Sequence, residues 1–368
     1  MSARPPLSAA ALFAALCLLL TAVLVPAPAG ARVRHHHHRH PRTKTTHHHR
    51  RHLVTHTHEA RGRVTVDAAA KKPDAPTPRP GAQPRFGAFT TDAPYAGNVD
   101  AVGRLQTALR RPIDIVNWYQ SFGGGEWVSR VQPDVIRAVT DSGRTPLLTW
   151  EPWDPTAGAD QPQYRLRRIA EGDFDAYIAS WADALRDAGQ EVDLRPMHEM
   201  NGNWYPWSAG VGDNTPELYV AAWRRMHDIF VDRGATNVRW VWSPVTYSVP
   251  NTPANALERY YPGAGYVDVL ALDGYNWGSA KPEYGGWQSF GQVFEAAYHR
   301  IEALGPQPIW IAEVGSAPGG GDKARWVRDM WTTAASWPRL KAIVGFDQDK
   351  EEDWRALPVA SAFAAPAR

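Results

Sequence analysis

The stretch Arg195-Pro196-Met197-His198-Glu199-Met200-Asn201-Gly202-Asn203-Trp204 decides how the rest of the chain is read. It follows an apolar run and gives way to polar, aromatic and glycine residues. That texture marks a buried strand emerging into a functional loop. A second stretch behaves alike: Pro308-Ile309-Trp310-Ile311-Ala312-Glu313-Val314-Gly315-Ser316. Here too a short hydrophobic strand delivers a glutamate near its C-terminal end. Glu199 and Glu313 are 114 residues apart. One such glutamate is ordinarily a solvated loop residue. Two in matching contexts point to a site that uses both.

Outward from these stretches, short apolar runs alternate with amphipathic segments from Arg85 onward. Eight strands are expected, at 86–90, 113–119, 146–150, 192–197, 238–243, 267–272, 308–312 and 341–346. Helices are expected between them at 99–110, 133–142, 174–188, 216–233, 290–304 and 324–335, with 256–265 the least regular link. Thr215-Pro216 has the form of a cap followed by proline at the first helical position. Gly143, Gly189, Gly234 and Gly305 each sit where a helix would need a left-handed stop. Eight strands alternating with helices predict an α/β fold, a (β/α)8 TIM barrel, whose active site is built from the loops after the strands. Glu199 then falls just after strand 4 and Glu313 at the end of strand 7. A doubly wound open sheet would show a glycine-rich turn after its first strand, and Phe86-Gly87-Ala88-Phe89-Thr90 offers none.

Two segments precede this domain. Residues 1–31 read as a secretory signal, with Arg4 before an apolar run from Ala9 to Val25 and small residues at Ala27-Pro28-Ala29 and Ala29-Gly30-Ala31. An uncleaved anchor is the alternative, although the run is shorter than the ~20 residues a spanning helix usually needs. Either way the chain is expected outside the cytoplasm. Residues 32–84 hold 11 of the 14 histidines and a Pro-, Ala-, Lys- and Arg-rich run. That composition is expected to stay disordered, as a solvated spacer or as a contact to metal ions or an anionic cell envelope. Residues 85–368 form the expected catalytic domain.

Charge divides along the same boundary. Residues 32–84 carry 12 Lys/Arg against 3 Asp/Glu, whereas 85–368 carry 27 against 35. An acidic domain is a poor nucleic-acid partner. The sole cysteine, Cys17, lies in the leader, so the domain holds no disulfide. The 17 tryptophans are an unusual load. Indoles near loops suit stacking on sugar rings, while others would serve the core.

Two carboxyl groups are what glycoside hydrolysis commonly needs: one protonates the leaving oxygen, the other attacks the anomeric carbon or activates water. With His198-Glu199, Asn201-Gly202 and Trp204, then Asp273-Gly274-Tyr275-Asn276-Trp277, then Ile311-Ala312-Glu313-Val314-Gly315 in order at barrel spacing, residues 85–360 resemble glycoside hydrolase family 26. This is a secreted β-mannanase-type family of barrels with the acid on strand 4 and the nucleophile on strand 7. The resemblance implies that Glu199 is the acid/base and Glu313 the nucleophile. It implies that Tyr275 donates to Glu313, that His198 holds a sugar hydroxyl or orients a carboxylate, and that Trp204 floors the cleavage site. Asn201 shares the motif as a supporting residue. Many mannanases of the family have Trp at the end of strand 8, where this chain has Phe346.

Other strand ends add candidates. Trp118, Trp150, Trp242 and Trp277 would stack on sugars, and Glu151 and Asp273 would bind a hydroxyl or brace a loop. No metal or other cofactor is expected in the domain: His198, His227 and His299 are its only histidines, and no His-Glu-x-x-His occurs. A Gly-x-Ser-x-Gly elbow is also missing. The expected protein is a secreted, monomeric, retaining endo-β-glycanase acting on β-1,4-mannan. The alternatives are a β-1,3-1,4-glucanase using the same site and a non-catalytic carbohydrate-binding barrel.

Overall fold

All eight expected strands form, and they pair in parallel and in chain order into one closed barrel. The computed structural model describes residues 83–364. The expected leader, and the His-rich segment up to residue 82, lie outside those residues. The strands are β1 (Arg85–Thr90), β2 (Ile115–Ser121), β3 (Thr145–Glu151), β4 (Val192–Pro196), β5 (Val238–Trp242), β6 (Val269–Asn276), β7 (Ile309–Ser316) and β8 (Leu340–Asp347). The helices between them are α1 (Asp100–Leu109), α2 (Pro133–Asp141), α3 (Leu166–Glu171), α4 (Asp175–Ala188), α5 (Pro216–Asp232), α6 (Phe290–Glu302) and α7 (Lys323–Ala335). The short α3 was not expected. The irregular link falls between β5 and β6, where single 3-10 turns replace a helix. Thr215 caps α5 by accepting from the Leu218 N–H. Gly143, Gly189 and Gly234 adopt the expected left-handed stop, and Gly305 does not.

Alternation along each strand separates two environments. In β2 and β3, Val116, Trp118, Leu148 and Trp150 face the helices, whereas Ile115 and Leu147 join Val241, Val269, Trp310 and Val344 in the barrel interior. Above this apolar plug lies a polar layer. There Thr149 donates to Asn117 (2.9 Å), and the Arg195 guanidinium donates to Thr149 (2.8 Å) and Asp273 (2.9 Å). Side chains stacked in layers are what a filled barrel requires. The mouth opens above the polar layer.

β6 and β7 run four residues further than expected, through Asn276 and Ser316. Their ladder slips once: Leu272 faces Ile311, but Asp273 faces Glu313. Ala312 is therefore an extra residue, a β-bulge. Ala312 belongs to the interior cluster, and the bulge turns the next residue, Glu313, to the same side instead of toward the helices.

Thirteen of the 17 tryptophans are buried, so the indoles mostly build core. Trp150 stacks on Trp181 of α4 at 4.5 Å. Such a pair contributes about 0.5–1.5 kcal/mol beyond the area it buries.

Candidate active site

Glu199 sits three residues beyond β4 on a loop held from several sides. Its N–H donates to Ser243 (2.8 Å), the Trp207 indole donates to the His198 carbonyl (2.7 Å), and the Tyr219 hydroxyl donates to the Met197 carbonyl (3.2 Å). These bonds hold Met197 and Glu199 at φ +48° and +53°. Left-handed backbone at non-glycine residues costs about 1–3 kcal/mol each and persists where the surroundings enforce it. Here it aims the Glu199 carboxyl into the mouth, 7 % exposed. Trp204 Nε1 donates to its Oε2 at 2.7 Å. Gly202 makes that possible, because a Cβ there would meet the Trp204 indole at 2.5 Å.

Glu313 receives more donors. Tyr119 (2.6 Å) and Arg195 (2.6 Å) donate to its Oε1, and Tyr275 donates to its Oε2 at 2.5 Å. Gly315 lets this set close in, since a Cβ there would meet Trp354 and Tyr275 within about 3 Å.

The two carboxyls are pushed apart electrostatically. Burial, then the Glu313 charge, raises Glu199 to about 8. Burial alone would raise Glu313 too, but the Arg195 guanidinium and the donating phenols outweigh it and hold Glu313 near about 2. Burial and the Glu313 charge keep Tyr119 and Tyr275 well above the ordinary phenol value, so both stay protonated donors. His198 is lowered to about 3 by burial and then by Arg195, so its imidazole is neutral. Its Nε2 lies 3.2 Å from the Tyr205 hydroxyl and 3.8 Å from Glu313. One protonated and one ionised carboxyl can coexist here across the neutral range.

Of the residues expected around the pair, His198, Trp204 and Tyr275 adjoin it. Trp277 joins the same rim, half-buried, with its ring centroid 6.1 Å from that of Tyr275. Three tryptophans expected to stack on sugars, Trp118, Trp150 and Trp242, need correction. Trp118 and Trp150 are fully buried between sheet and helices, because both sit at outward positions of their strands. Asn201 is also fully buried: its amide donates to Val245 and Ser248 and accepts from the Val245 N–H, so it ties the β4 loop to the β5 loop. Trp242 packs on Tyr261 in the same outer core. Asp273 braces Arg195 from beneath, and its Oδ1 also accepts from Ser243.

Sequence reading gave no role to Arg195, Tyr119, Tyr205 or Trp354. Tyr119 has the inward parity of β2 that Trp118 lacks. Trp354 follows β8 and packs at 4.9 Å against Tyr275 and 5.0 Å against Trp277. An indole thus reaches the nucleophile's surroundings even though β8 carries Phe346. His198, Asp273 and Glu313 bring ligand atoms within 4.8 Å of one another. Arg195 already donates to both of those carboxylates, so the negative charge a cation would require is paired.

Comparison with known proteins agrees with this geometry. The sequence profile of Glycosyl hydrolase family 26 matches residues 151–351, more than half of the chain. The chain belongs to glycosyl hydrolase family 26. It is 38 % identical over 288 residues to Endoglucanase H of Acetivibrio thermocellus, covering 76 % of this chain and 30 % of that protein. It is 40 % identical over 104 residues to Mannan endo-1,4-beta-mannosidase A and B of Caldalkalibacillus mannanilyticus, covering 27 % of this chain and 19 % of that one. The chain thus spans less than a third of the length of either relative. Among solved structures, it resembles the catalytic domain of a Bacillus endo-beta-1,4-mannanase, with a TM-score of 0.58 and 20 % identity over 77 % of this chain and 86 % of that one. It also resembles a modular endo-beta-1,4-mannanase from Cellulomonas fimi, with a TM-score of 0.57 and 19 % identity over 78 % and 71 %. These structural likenesses establish the shared barrel.

Proposed function

We propose that this family 26 chain is a secreted retaining endo-β-glycanase that cleaves internal linkages of β-1,4-mannan. The observation that carries the reading is the opposed state of the two mouth carboxyls. Glu199, kept protonated, donates its proton to the leaving oxygen. Glu313, kept ionised, attacks the anomeric carbon and forms a covalent glycosyl-enzyme. Water then displaces Glu313, and Glu199, now the base, takes the water's proton and is restored. A non-catalytic binding barrel would have no use for this separation of protonation states.

A second substrate, β-1,3-1,4-glucan, is favoured by one comparison. The relative named an endoglucanase aligns with 76 % of this chain, against 27 % for the mannosidase of Caldalkalibacillus. Phe346 at the end of β8 points the same way. Incubation with mannan, mixed-linkage glucan and xylan, followed by reducing-end assay and product analysis, separates the readings. Mannan is expected to release mid-length oligosaccharides whose first-formed anomers retain the β configuration. Release from glucan alone selects the second substrate. No release from any polysaccharide ends the enzymatic reading. The His-rich segment is proposed as an envelope or metal contact, which zinc titration of chains with and without it would test.

A further inference from the structure

A third carboxyl faces the mouth, and the two-carboxyl mechanism leaves it without work. Glu151 is the last residue of β3, and its register position is opposite Ser121. Leu147 and Thr149, at the same parity, fill the interior and the polar layer below it. Glu151 therefore crowns an inward-facing column. Trp150 pairs with Pro196, so Glu151 stands just below the level where the β4 loop carries His198 and Glu199 inward.

Its hydrogen bonding is incomplete in an informative way. Glu151 is 94 % buried, being 6 % exposed. Trp153 Nε1 donates to its Oε2 at 3.1 Å, and no described side chain or backbone group donates to Oε1. Glu313 has three donors and Glu199 one that fixes its orientation. Oε1 is not among the sealed, unpartnered side-chain atoms of the described residues, so this oxygen keeps access to open space. A residue chosen for packing alone would be apolar here, and one that only needed to accept from Trp153 could be Gln. Burial raises Glu151 to about 7, with the Trp153 bond opposing the rise and the Glu313 charge adding to it. The group is thus poised between donating and accepting, and both modes suit a sugar hydroxyl.

We propose that Glu151 is a substrate-binding residue whose free oxygen takes a hydroxyl of a hexopyranose ring seated beside the cleavage point, on the β3 side of the mouth. This rests on the glycanase reading above. Trp153 orients the carboxyl edge-on and leaves the other oxygen open to the ring. The same Trp153 packs edge-to-face on Tyr205 at 5.3 Å, and Tyr205 reaches His198. The orienting contact therefore belongs to the wall of the site.

The test reads binding apart from turnover. In the full chain, Glu313→Gln removes the nucleophile, and calorimetry with manno- and gluco-configured β-linked hexasaccharides gives Kd. Adding Glu151→Gln is expected to weaken the better ligand tenfold or more, with Tm within about 2 °C of the parent, because glutamine still accepts from Trp153. In the otherwise wild-type chain, Glu151→Gln is expected to raise KM by a similar factor while kcat changes much less. An unchanged Kd overturns the proposal. So does a fall in Tm that accompanies the loss of binding, since that would make Glu151 a structural acceptor for Trp153. If the wild type releases no reducing ends and the Glu313→Gln parent binds neither ligand, the glycanase reading fails first and carries this proposal down with it.

Discussion

The loop after β4 and the bulged end of β7 each present one glutamate to the same opening, and they do so by opposite means. Around Glu199 the protein supplies burial and a single neutral donor from Trp204. Around Glu313 it supplies equal burial but a guanidinium and two phenols. The first setting raises a carboxyl and the second depresses one, although both are nearly dry. Burial alone therefore does not set the protonation state. The donor set does, and it separates an acid from a nucleophile built of the same residue type.

Removing either side should break the comparison. Glu313→Ala is expected to lower kcat on the best polysaccharide by ~10³-fold or more while leaving a cooperative thermal transition, measured by calorimetry and reducing-end assay. Survival of most of the activity would remove Glu313 as nucleophile. Glu199→Ala is expected to cost ~10²–10⁴-fold on polysaccharide but far less on an activated aryl glycoside, whose leaving group needs little protonation. Equal losses on both would deny Glu199 the acid role. In the wild type, kcat/KM should fall as pH rises through about 8, where Glu199 loses its proton, and Glu199→Gln should abolish that limb.

Arg195→Met sharpens the comparison by making the two settings alike. Glu313 is depressed relative to the 4.5 of a free glutamate. Its stabilising contribution is therefore complete above that value and is lost as pH falls through about 2. Without Arg195, burial dominates and the Glu313 pKa rises. The acid limb of kcat/KM is then expected to move to higher pH, and the fold to lose ~3–5 kcal/mol from the broken buried pair, read by denaturant titration across pH. An unmoved acid limb would show that the phenols alone hold Glu313 ionised.

The barrel was legible because its strands are continuous apolar runs and its helices are amphipathic, a pattern that parallel sheets with helices outside impose. The ends of β6 and β7 were not. The expected strands stop at Leu272 and Ala312 because polar and glycine residues follow, yet partners such as Arg195 and the Asn276–Ser316 bond (2.9 Å) hold the chain in strand through Asn276 and Ser316. The glutamates could be found from their motifs. The tryptophans misled because residue type was read without parity. Trp118 and Trp150 face outward, while Tyr119 and Glu151, one position away in each strand, face the site. Arg195 stood inside the most informative motif without a role, since nothing local reveals that its partners arrive from β6 and β7.

The bulge at Ala312 makes the address of Glu313 a matter of counting. Were the ladder regular with Ala312 kept, Ala312 would face Asp273, and the carboxylate would fall one step out of phase, against the hydrophobic layer beneath the helices. The barrel could close as before with its composition unaltered. A chain of the same residues that paired without the slip could thus fold, stay soluble and be chemically silent, and no inventory of its side chains would reveal why.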